Sequence, residues 1–317
     1  MVSKSNLKLS SAELLARLNP PKNKVSIVLD TDTYNEVDDQ FALALALLSP
    51  KSISVEAVYA APFFNSRSTG PGDGMAKSYE EILRVFSKLN RSPKGIVFRG
   101  SKKFMGNGYE PTDHNNGKPV KSPAALDLIN RARKASASKP LYVVAIGAPT
   151  NVSSAIMLAP DIIKKIVVVW LGGQPHYWHN SLEFNCYQDV SASRVLFDSG
   201  VPLVQIPCVL VAEMLRTTIS ELQAYLKGKS AISDYLCEIV EQYSDDHFAW
   251  SKVIWDIAAP AWIINSKWLS SSITHSPILT DQHTYSFDNT RHFMRVVTHI
   301  DRDGIYRDLF TKLAKAK

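Results

Sequence analysis

Four aspartates lie close together near the start of the chain, within the stretch VLDTDTYNEVDDQFALALALL, as Asp30, Asp32, Asp38 and Asp39. Any one of them could be explained by capping of a helix N-terminus, where a carboxylate accepts backbone N–H groups. Four together repel one another, since two carboxylates about 4 Å apart cost roughly 4 kcal/mol at an effective dielectric near 20. The cluster therefore indicates a bound cation.

The side chains of this segment offer oxygen ligands, because no His or Cys lies nearby in the chain. Oxygen ligands favour Ca2+ or Mg2+ over zinc, and the spacing is not that of an EF-hand loop. A different class of protein is also open at this point. Asp30-Thr31-Asp32-Thr33 after a strand resembles the DxDx(T/V) signature of haloacid-dehalogenase-like phosphatases, in which the first Asp attacks phosphorus and Mg2+ assists.

The elements that position these acids follow from hydrophobic periodicity. Apolar runs bounded by turn residues predict strands at 25–29, 53–60, 95–98, 141–146, 166–171 and 201–206. Helical periodicity predicts helices at 38–48, 75–89, 124–135 and 190–200, then a mainly helical region at 219–268 and a late strand at 292–300. This alternation predicts an α/β fold, Rossmann-like, with a mostly parallel central sheet flanked by helices on both faces.

We expect one large domain over 25–317, preceded by an N-terminal extension, 1–24, that contains a short helix. Ser10 and Glu13 have the spacing of a capping box at the start of that helix. In a parallel sheet, ligands bind at the carboxyl ends of the strands. Asn65 follows the second predicted strand and Thr150 follows the fourth, so we expect both near the aspartates.

Composition excludes several classes of partner. The chain has 317 residues, 45% hydrophobic content and a net charge of +6 that is scattered along it, so a nucleic-acid partner is not expected. No stretch approaches the roughly 18 apolar residues of a membrane span, and the N-terminus lacks a signal-peptide core. Three cysteines without a CxxC pair favour a reducing setting, so we expect a soluble, cytoplasmic protein.

Four stretches resemble, in the same order, the motifs of the inosine-uridine-preferring nucleoside hydrolase family. They are DTDTYNEVDDQFALALALLSP, GAPTNVSSAIMLAPDIIKKIVVVWLGG, LEFNCYQDVSASRVLFDSGVPLVQIP and KVIWDIAAPAWIINSKW. Together they span roughly 25–270, whereas the phosphatase interpretation leaves the last three unexplained. The first stretch departs from the usual DxDPGxDDxxAL form, because Thr33 to Val37 replaces the shorter PGx and inserts two residues.

The resemblance implies calcium-dependent hydrolysis of the N-glycosidic bond of a ribonucleoside to free base and ribose. It implies Ca2+ ligands at Asp32, Asp39, Asp256 and the backbone carbonyl of Thr150, with Asp32 also the general base that takes a proton from a calcium-bound water. It implies contacts to the sugar hydroxyls from Asp38, Asn65, Glu183 and Asn185. Asp30 would support the metal ligands, and for Asp189 we prefer a helix-capping role.

The group that helps the base to leave does not follow from the resemblance. Many relatives have His immediately before the last calcium Asp, where this chain has Trp255. Histidine candidates for a proton donor are His114, His176, His179 and His247. Alternatively, Tyr177, Trp178 or Trp255 could stack on the base, so we predict base contacts from His179, Trp178 and Trp255. The Gly- and Asn-rich stretch 100–118 could act as a lid.

The resemblance implies a homo-oligomer, a dimer or a tetramer, with a small ribonucleoside as substrate. Trp255 and the insertion after Asp32 leave open a catalytically silent relative that binds calcium and ribose. The preferred base is not determined by the sequence, because the residues that would face it lie in the least matched segments.

Overall fold

The computed structural model describes residues 9–106 and 115–317. Its strands are β1 Val25–Thr31, β2 Ile53–Ala60, β3 Val97–Arg99, β4 Leu141–Ala145, β5 Ile166–Leu171, β6 Leu203–Ile206, β7 Arg216–Thr217, β8 Lys252–Val253, β9 Leu269–His275, β10 Ile278–Leu279, β11 Tyr285–Ser286 and β12 Phe293–Ile300. Its α-helices are α1 Ser11–Arg17, α2 Asp39–Leu47, α3 Pro71–Lys88, α4 Pro123–Lys134, α5 Thr150–Leu158, α6 Phe184–Gln188, α7 Val190–Asp198, α8 Ile219–Tyr225, α9 Ala231–Glu241, α10 Ala258–Ile264 and α11 Arg302–Ala314. Short 3-10 helices cover Pro160–Lys165, Ala212–Met214, Trp255–Ile257 and Ser266–Trp268.

Eight strands form the central sheet in the order β3-β2-β1-β4-β5-β6-β12-β9. All neighbouring pairs are parallel except β12 with β9, which is antiparallel. The predicted mostly parallel sheet is therefore confirmed. Because β1 pairs with β2 on one side and β4 on the other, the strand order reverses direction beside β1, and such a reversal opens a crevice at the carboxyl ends of the strands.

Alternate residues of each central strand enter two separate apolar cores, one on each face of the sheet. In β1, Ile27 and Leu29 belong to one core and Val28 to the other, as the two-residue period of a strand requires. Helices α2, α3, α9, α10 and α11 supply side chains to the first core, and α4, α5 and α7 to the second. Helices therefore cover both faces of a single domain, as predicted.

Helix α2 is the element that carries the aspartate pair into the molecule. All nine of its residues, DQFALALAL, are buried, so it lies inside the first core rather than on the surface. Its apolar side chains fix its position between the sheet and α10, whose Trp262 is also fully buried. The acids at its first turn are consequently held on a rigid support.

The N-terminal helix α1 has the capping box predicted from Ser10 and Glu13. Leu14 and Leu18 join the first core, and Arg295 of β12 donates a hydrogen bond of 2.5 Å to the Leu18 carbonyl. This segment is thus packed against the same core as the rest of the chain. Within the described residues, no helix combines the length and the apolar character that crossing a membrane requires.

Candidate active site

Three carboxylates from two distant parts of the chain meet at the carboxyl edge of the sheet. Asp38 and Asp39 begin α2, and Asp256 lies in the short 3-10 helix Trp255–Ile257. One ligand oxygen from each lies within 4.8 Å of the other two, and all three residues are buried. Asp38 occupies the N-cap position but makes no capping hydrogen bond through its side chain. Helix capping therefore does not account for its carboxylate.

Asp32 lies at the same edge, directly after β1. It is 1% exposed, and one of its carboxylate oxygens, Oδ2, has no hydrogen-bond partner among the described residues. Gly147, which follows β4, leaves room for this side chain, since a Cβ at that position would stand 3.0 Å from the Asp32 Cγ. The glycine therefore lets the ends of β1 and β4 approach closely around the carboxylate.

Burial raises the pKa of every acid in the group, and repulsion by neighbouring carboxylates adds to the rise for Asp32, Asp39 and Asp256. Burial is the largest cause for Asp32, followed by the negative charges of Asp39 and Asp38. The pKa of Asp39 is raised to about 8 and that of Asp256 well above its usual value, again mainly by burial and then by neighbouring carboxylates. Such a set is costly to ionise without added positive charge.

The donor set fits a hard divalent cation. Asp32, Asp39 and Asp256 offer only carboxylate oxygens, and Asp32 Oδ2 is a buried acceptor with no donor among the described residues. Calcium and magnesium prefer such oxygen ligands, and a cation would lower the raised pKa values that burial imposes. Thr31 Oγ1 donates to Asp39 Oδ1, which fixes the orientation of that carboxylate.

Asp30 lies behind these acids and is held by an amide. Asn151 Nδ2 donates to Asp30 Oδ1 at 2.8 Å, while Asn151 Oδ1 accepts from the Ser101 backbone N–H at 2.8 Å. Burial raises the pKa of Asp30 to about 7. The Asn151 side chain, which follows β4, thus links Asp30 of β1 to Ser101 after β3.

Thr150 begins α5 at the end of the loop that follows β4. Its Oγ1 donates to Asp189 Oδ2 at 2.7 Å, and the same carboxylate accepts from Met105 N at 2.7 Å and from Ala192 N, at the start of α7, at 3.1 Å. The capping role predicted for Asp189 is confirmed. The side chain of Thr150 is therefore engaged in fixing two helix starts beside the acids.

Glu183 and Asn185 are both held in fixed orientations at the ends of β4 and β5. Glu183 caps α6, with Oε2 accepting from Gly173 N at 2.7 Å and from Cys186 N at 3.0 Å. Burial raises the pKa of Glu183 to about 7. Asn185 Nδ2 donates to the carbonyls of Ile146 at 3.2 Å and Leu171 at 3.0 Å, which leaves its Oδ1 as an acceptor.

A cavity of about 230 Å³ lies among these groups, and Asp39, Asp30 and Thr150 are outside its lining. Its lining includes six of the side chains selected from the sequence, Asp32, Asp38, Glu183, Asn185, Trp255 and Asp256. Acids that could hold a cation and groups that could hold hydroxyls therefore line one pocket of the size of a small molecule, at the position where the strand order reverses.

The sequence model of the inosine-uridine preferring nucleoside hydrolases matches residues 27–307 of this chain. The chain belongs to this family. The assignment made from the four sequence motifs is thereby confirmed. Family membership supports hydrolysis of a ribonucleoside at its N-glycosidic bond, and it gives no support to the phosphatase interpretation or to a silent binding protein.

Named relatives of the chain share the family and differ in substrate. The pyrimidine-specific ribonucleoside hydrolase RihA of Escherichia coli O9:H4 is 25% identical over 236 residues, 70% of this chain and 72% of the relative. Among solved structures, a plant nucleoside hydrolase, PpNRh1, has a TM-score of 0.73 at 17% identity and covers 93% of this chain and 100% of its own. A purine-preferring ribonucleoside hydrolase from Gardnerella vaginalis has a TM-score of 0.70 at 20% identity. The match covers 91% of this chain and 98% of that protein's chain. The structural matches show the nucleoside hydrolase fold.

Asn65, selected as a sugar contact, does not line the cavity in this nucleoside hydrolase. Its Nδ2 donates to Asn35 Oδ1 at 2.7 Å, and its Oδ1 accepts from Arg67 N at 2.8 Å. Asn35 itself lines the cavity. Asn35 was not selected from the sequence, because it lies in the stretch that replaces the family's PGx. The insertion was the one feature that could have pointed to this residue.

Trp178 and His179, predicted to contact the base, also lie outside the cavity lining. Their rings pack on each other, with centroids 5.1 Å apart. His176 bonds to Gln205 at 2.8 Å, and His247 to the Glu241 carbonyl at 3.0 Å. His114 falls outside the described residues, as does part of the stretch 100–118. Among the predicted base contacts in the described ranges, Trp255 is the one that lines the cavity.

Lys252 and Glu36 form a partly buried ion pair beside the acids, and neither was selected from the sequence. Lys252 is 7% exposed, pairs with Glu36 and donates to the Val253 carbonyl at 3.0 Å. Its charge opposes the rise that burial causes in the pKa of Asp38. The pair ties the insertion to β8, four residues before Asp256. A lysine within the apolar stretch KVIW was the available signal.

Proposed function

We propose that this nucleoside hydrolase uses Ca2+, held by Asp32, Asp39, Asp256 and the Thr150 carbonyl, to hydrolyse a ribonucleoside to free base and ribose. The observation that carries the proposal is the meeting of Asp38, Asp39 and Asp256, with Asp32, Asp38 and Asp256 lining one cavity. Carboxylates from the first strand-to-helix connection and from a segment more than two hundred residues later share this edge of the sheet. When bound, the cation supplies positive charge that lowers the pKa of a water molecule.

Asp32 is the proposed general base. Its Oδ2 has no hydrogen-bond partner among the described residues, so it is available to accept a proton from the attacking water. An ionised carboxylate held next to the water can take its proton as the bond to the sugar breaks. Gly147 keeps this side chain against the end of β4, and a fixed base position lowers the barrier to proton transfer.

Asp38, Asn185 and Asn35 are the proposed contacts to the sugar hydroxyls. Trp255 N donates to Asp38 Oδ2 at 3.1 Å, which orients that carboxylate, and the Asn185 amide is fixed by two strand-end carbonyls. Asn65 acts through Asn35 as a positioning residue, and Glu183 lines the same cavity. A substrate without the 2'-hydroxyl would strand a buried polar partner, so ribonucleosides are preferred over deoxyribonucleosides.

Cleavage of the N-glycosidic bond develops positive charge on the ribose ring, as in an oxocarbenium ion. The nearby carboxylates stabilise that charge. Trp255 is the proposed contact to the base, because it lines the cavity directly before Asp256. An indole has no proton to donate at neutral pH, so its role is stacking.

The test is to incubate the full chain with Ca2+ and a panel of ribonucleosides and to measure free base and free ribose. Wild-type protein is expected to release both in equal amounts from at least one ribonucleoside. Asp32→Asn is expected to lower the rate about a hundredfold or more, as loss of a general base does. Asp245→Asn, a change at an exposed position, is the matched control. An Asp32→Asn variant with the wild-type rate would refute the assignment of the base.

A further inference from the structure

A second and larger cavity, of about 750 Å³, lies between α3 and α9. We call it the α3–α9 cleft. Its lining includes Arg84 and Lys88 of α3, Tyr235 of α9, and Tyr34 and Val37 of the insertion. We call the 230 Å³ cavity of the candidate active site the reaction cavity. No residue lines both cavities, although residues 35 and 36, which lie between Tyr34 and Val37, line the reaction cavity. One loop therefore separates the two cavities.

Three positively charged side chains line the α3–α9 cleft, and each has N–H groups that are not used in hydrogen bonds to the described residues. Lys88 Nζ lies 5.4 Å from the centre of the Tyr235 ring and makes no hydrogen bond to the described residues. Arg67 stacks over the Tyr34 ring at 4.6 Å and uses Nη1 to reach the Glu36 carbonyl at 3.1 Å. Arg84 uses Nη1 for Glu81 at 2.7 Å, and its guanidinium also interacts with the Tyr235 side chain. The remaining guanidinium donors and the whole ammonium group are available to a ligand.

The two acids of the cleft oppose these cations only in part. Glu81 is buried and bonded by Arg84, by the Tyr235 hydroxyl and by Gln40 Nε2 at 3.3 Å, so its charge is already matched. Glu238 accepts from Gln242 at 3.2 Å and is exposed. Gln40 is 2% exposed and lines the cleft, and its Oε1 has no partner among the described residues. The cleft thus retains net positive charge. It also contains one buried amide oxygen, Gln40 Oε1, that accepts from no described residue.

We propose that the α3–α9 cleft is a second binding site, separate from the reaction cavity, for a phosphate-bearing ligand with a planar ring. Guanidinium and ammonium groups recognise phosphate through charge-assisted hydrogen bonds, with Lys88, Arg84 and Arg67 in that role here. The tyrosine rings of the cleft offer surfaces for stacking. The volume lies within the usual range of small-molecule sites. A nucleotide combines both chemical features.

Calorimetric titration of the full chain in EDTA tests the site without the cation that hydrolysis would need. The probes are a nucleoside 5'-diphosphate, inorganic pyrophosphate and the parent nucleoside. Both phosphate compounds are expected to bind and the nucleoside to bind more weakly. The diphosphate is expected to bind more tightly than pyrophosphate, because its ring can stack on the tyrosines. Equal affinity of the two phosphate compounds would overturn the requirement for a ring.

Lys88→Ala is expected to weaken phosphate binding about tenfold, since a charge-assisted hydrogen bond is lost. Lys88→Glu should weaken it further, and Lys94→Ala, an exposed lysine outside the cleft lining, should not. Base release by Lys88→Ala should equal that of the wild type, which separates this site from the proposed hydrolysis. The proposal is overturned if neither phosphate compound binds, or if both Lys88 variants bind as the wild type does.

Discussion

The side-chain amide of Asn65 donates a hydrogen bond of 2.7 Å to the side-chain oxygen of Asn35, and Asn35 is the member of the pair that lines the reaction cavity. The family pattern indicated one asparagine, Asn65, at this side of the cavity. The structure has a hydrogen-bonded pair there, Asn65 and Asn35. The insertion after Asp32 brings Asn35 to the cavity wall, and Asn65 holds it there. The stretch that replaces the family's PGx therefore supplies a side chain to the cavity lining.

A double-mutant cycle tests this relationship. Asn35→Ala and Asn65→Ala should each lower kcat/KM for a ribonucleoside about tenfold, because a hydrogen bond to the sugar is lost or misplaced. The double variant should be little worse than either single variant, since the two residues act through one contact. Asn130→Ala, at an exposed position on α4, is the control. Fully additive losses would mean that Asn35 and Asn65 act separately.

The pH dependence of stability follows from the raised pKa values. Burial raises the pKa of Asp39 to about 8 and that of Asp30 to about 7, against 3.8 in the unfolded chain. The folded protein therefore holds protons that the unfolded chain has lost, and the free energy of unfolding falls as the pH rises through the folded pKa values. Without a cation, Tm should fall between about pH 5 and pH 8.

Calcium should raise Tm more at the upper end of that range, because it binds the ionised carboxylates of the folded state. Thermal unfolding in EDTA and in Ca2+ at several pH values gives both quantities. Asp256→Asn should reduce the calcium-dependent gain in Tm. A gain that is unchanged in Asp256→Asn, or that is larger at low pH, would argue against this group of ligands.

The presence of Trp255 predicts that kcat depends on the leaving group of the substrate. The cavity lining includes no histidine among the described residues, and an indole cannot protonate a departing base. A riboside of 4-nitrophenol, whose leaving group needs no proton, should therefore have a kcat at least about tenfold above that of inosine. Trp255→Phe should raise KM for nucleosides less than Trp255→Ala does. Equal kcat values for the riboside and inosine would reveal an unrecognised acid.

Gly147 predicts a steric effect on Asp32. In Gly147→Ala, the new Cβ would lie 3.0 Å from the Asp32 Cγ and 3.2 Å from the Ala61 Cβ. The carboxylate must shift, so kcat should fall while KM changes little, with a cost to stability of about 1–3 kcal/mol. Gly70→Ala, where a Cβ would meet no atom within 4 Å, is the control. A wild-type kcat in Gly147→Ala would show that the position of Asp32 is not critical.

The buried part of the fold follows closely from the sequence. Strands β2 and β5 match the predicted bounds, because their apolar runs are bounded by turn residues and neither is an edge strand of the sheet. Strand β9, LSSSITH, was not predicted. It is an antiparallel edge strand whose serines are partly exposed, so it has no apolar run to detect. Helix α3 begins at Pro71, earlier than predicted, because the periodicity signal ignores its first, Gly-rich turn.

The candidate site could be predicted where the chain keeps the family's motifs. Asp32, Asp38, Asp256, Glu183 and Asn185 were selected by resemblance, and all line one cavity. Asn35 and Lys252 were not selected in this way, because Asn35 lies in the insertion and Lys252 matches no assigned residue of the family's pattern. Their placement depends on contacts between distant segments, such as the ion pair of Lys252 with Glu36, which local periodicity does not encode.

The most direct test of the account is calcium binding measured together with turnover. Metal-stripped wild-type protein should release no base from a ribonucleoside, and added Ca2+ should restore release with a midpoint equal to the calcium Kd measured by calorimetry. In Asp256→Asn, both the midpoint and the Kd should rise together, while Asp245→Asn should change neither. Full base release by the metal-stripped protein, or an unchanged calcium Kd in Asp256→Asn, would contradict the account.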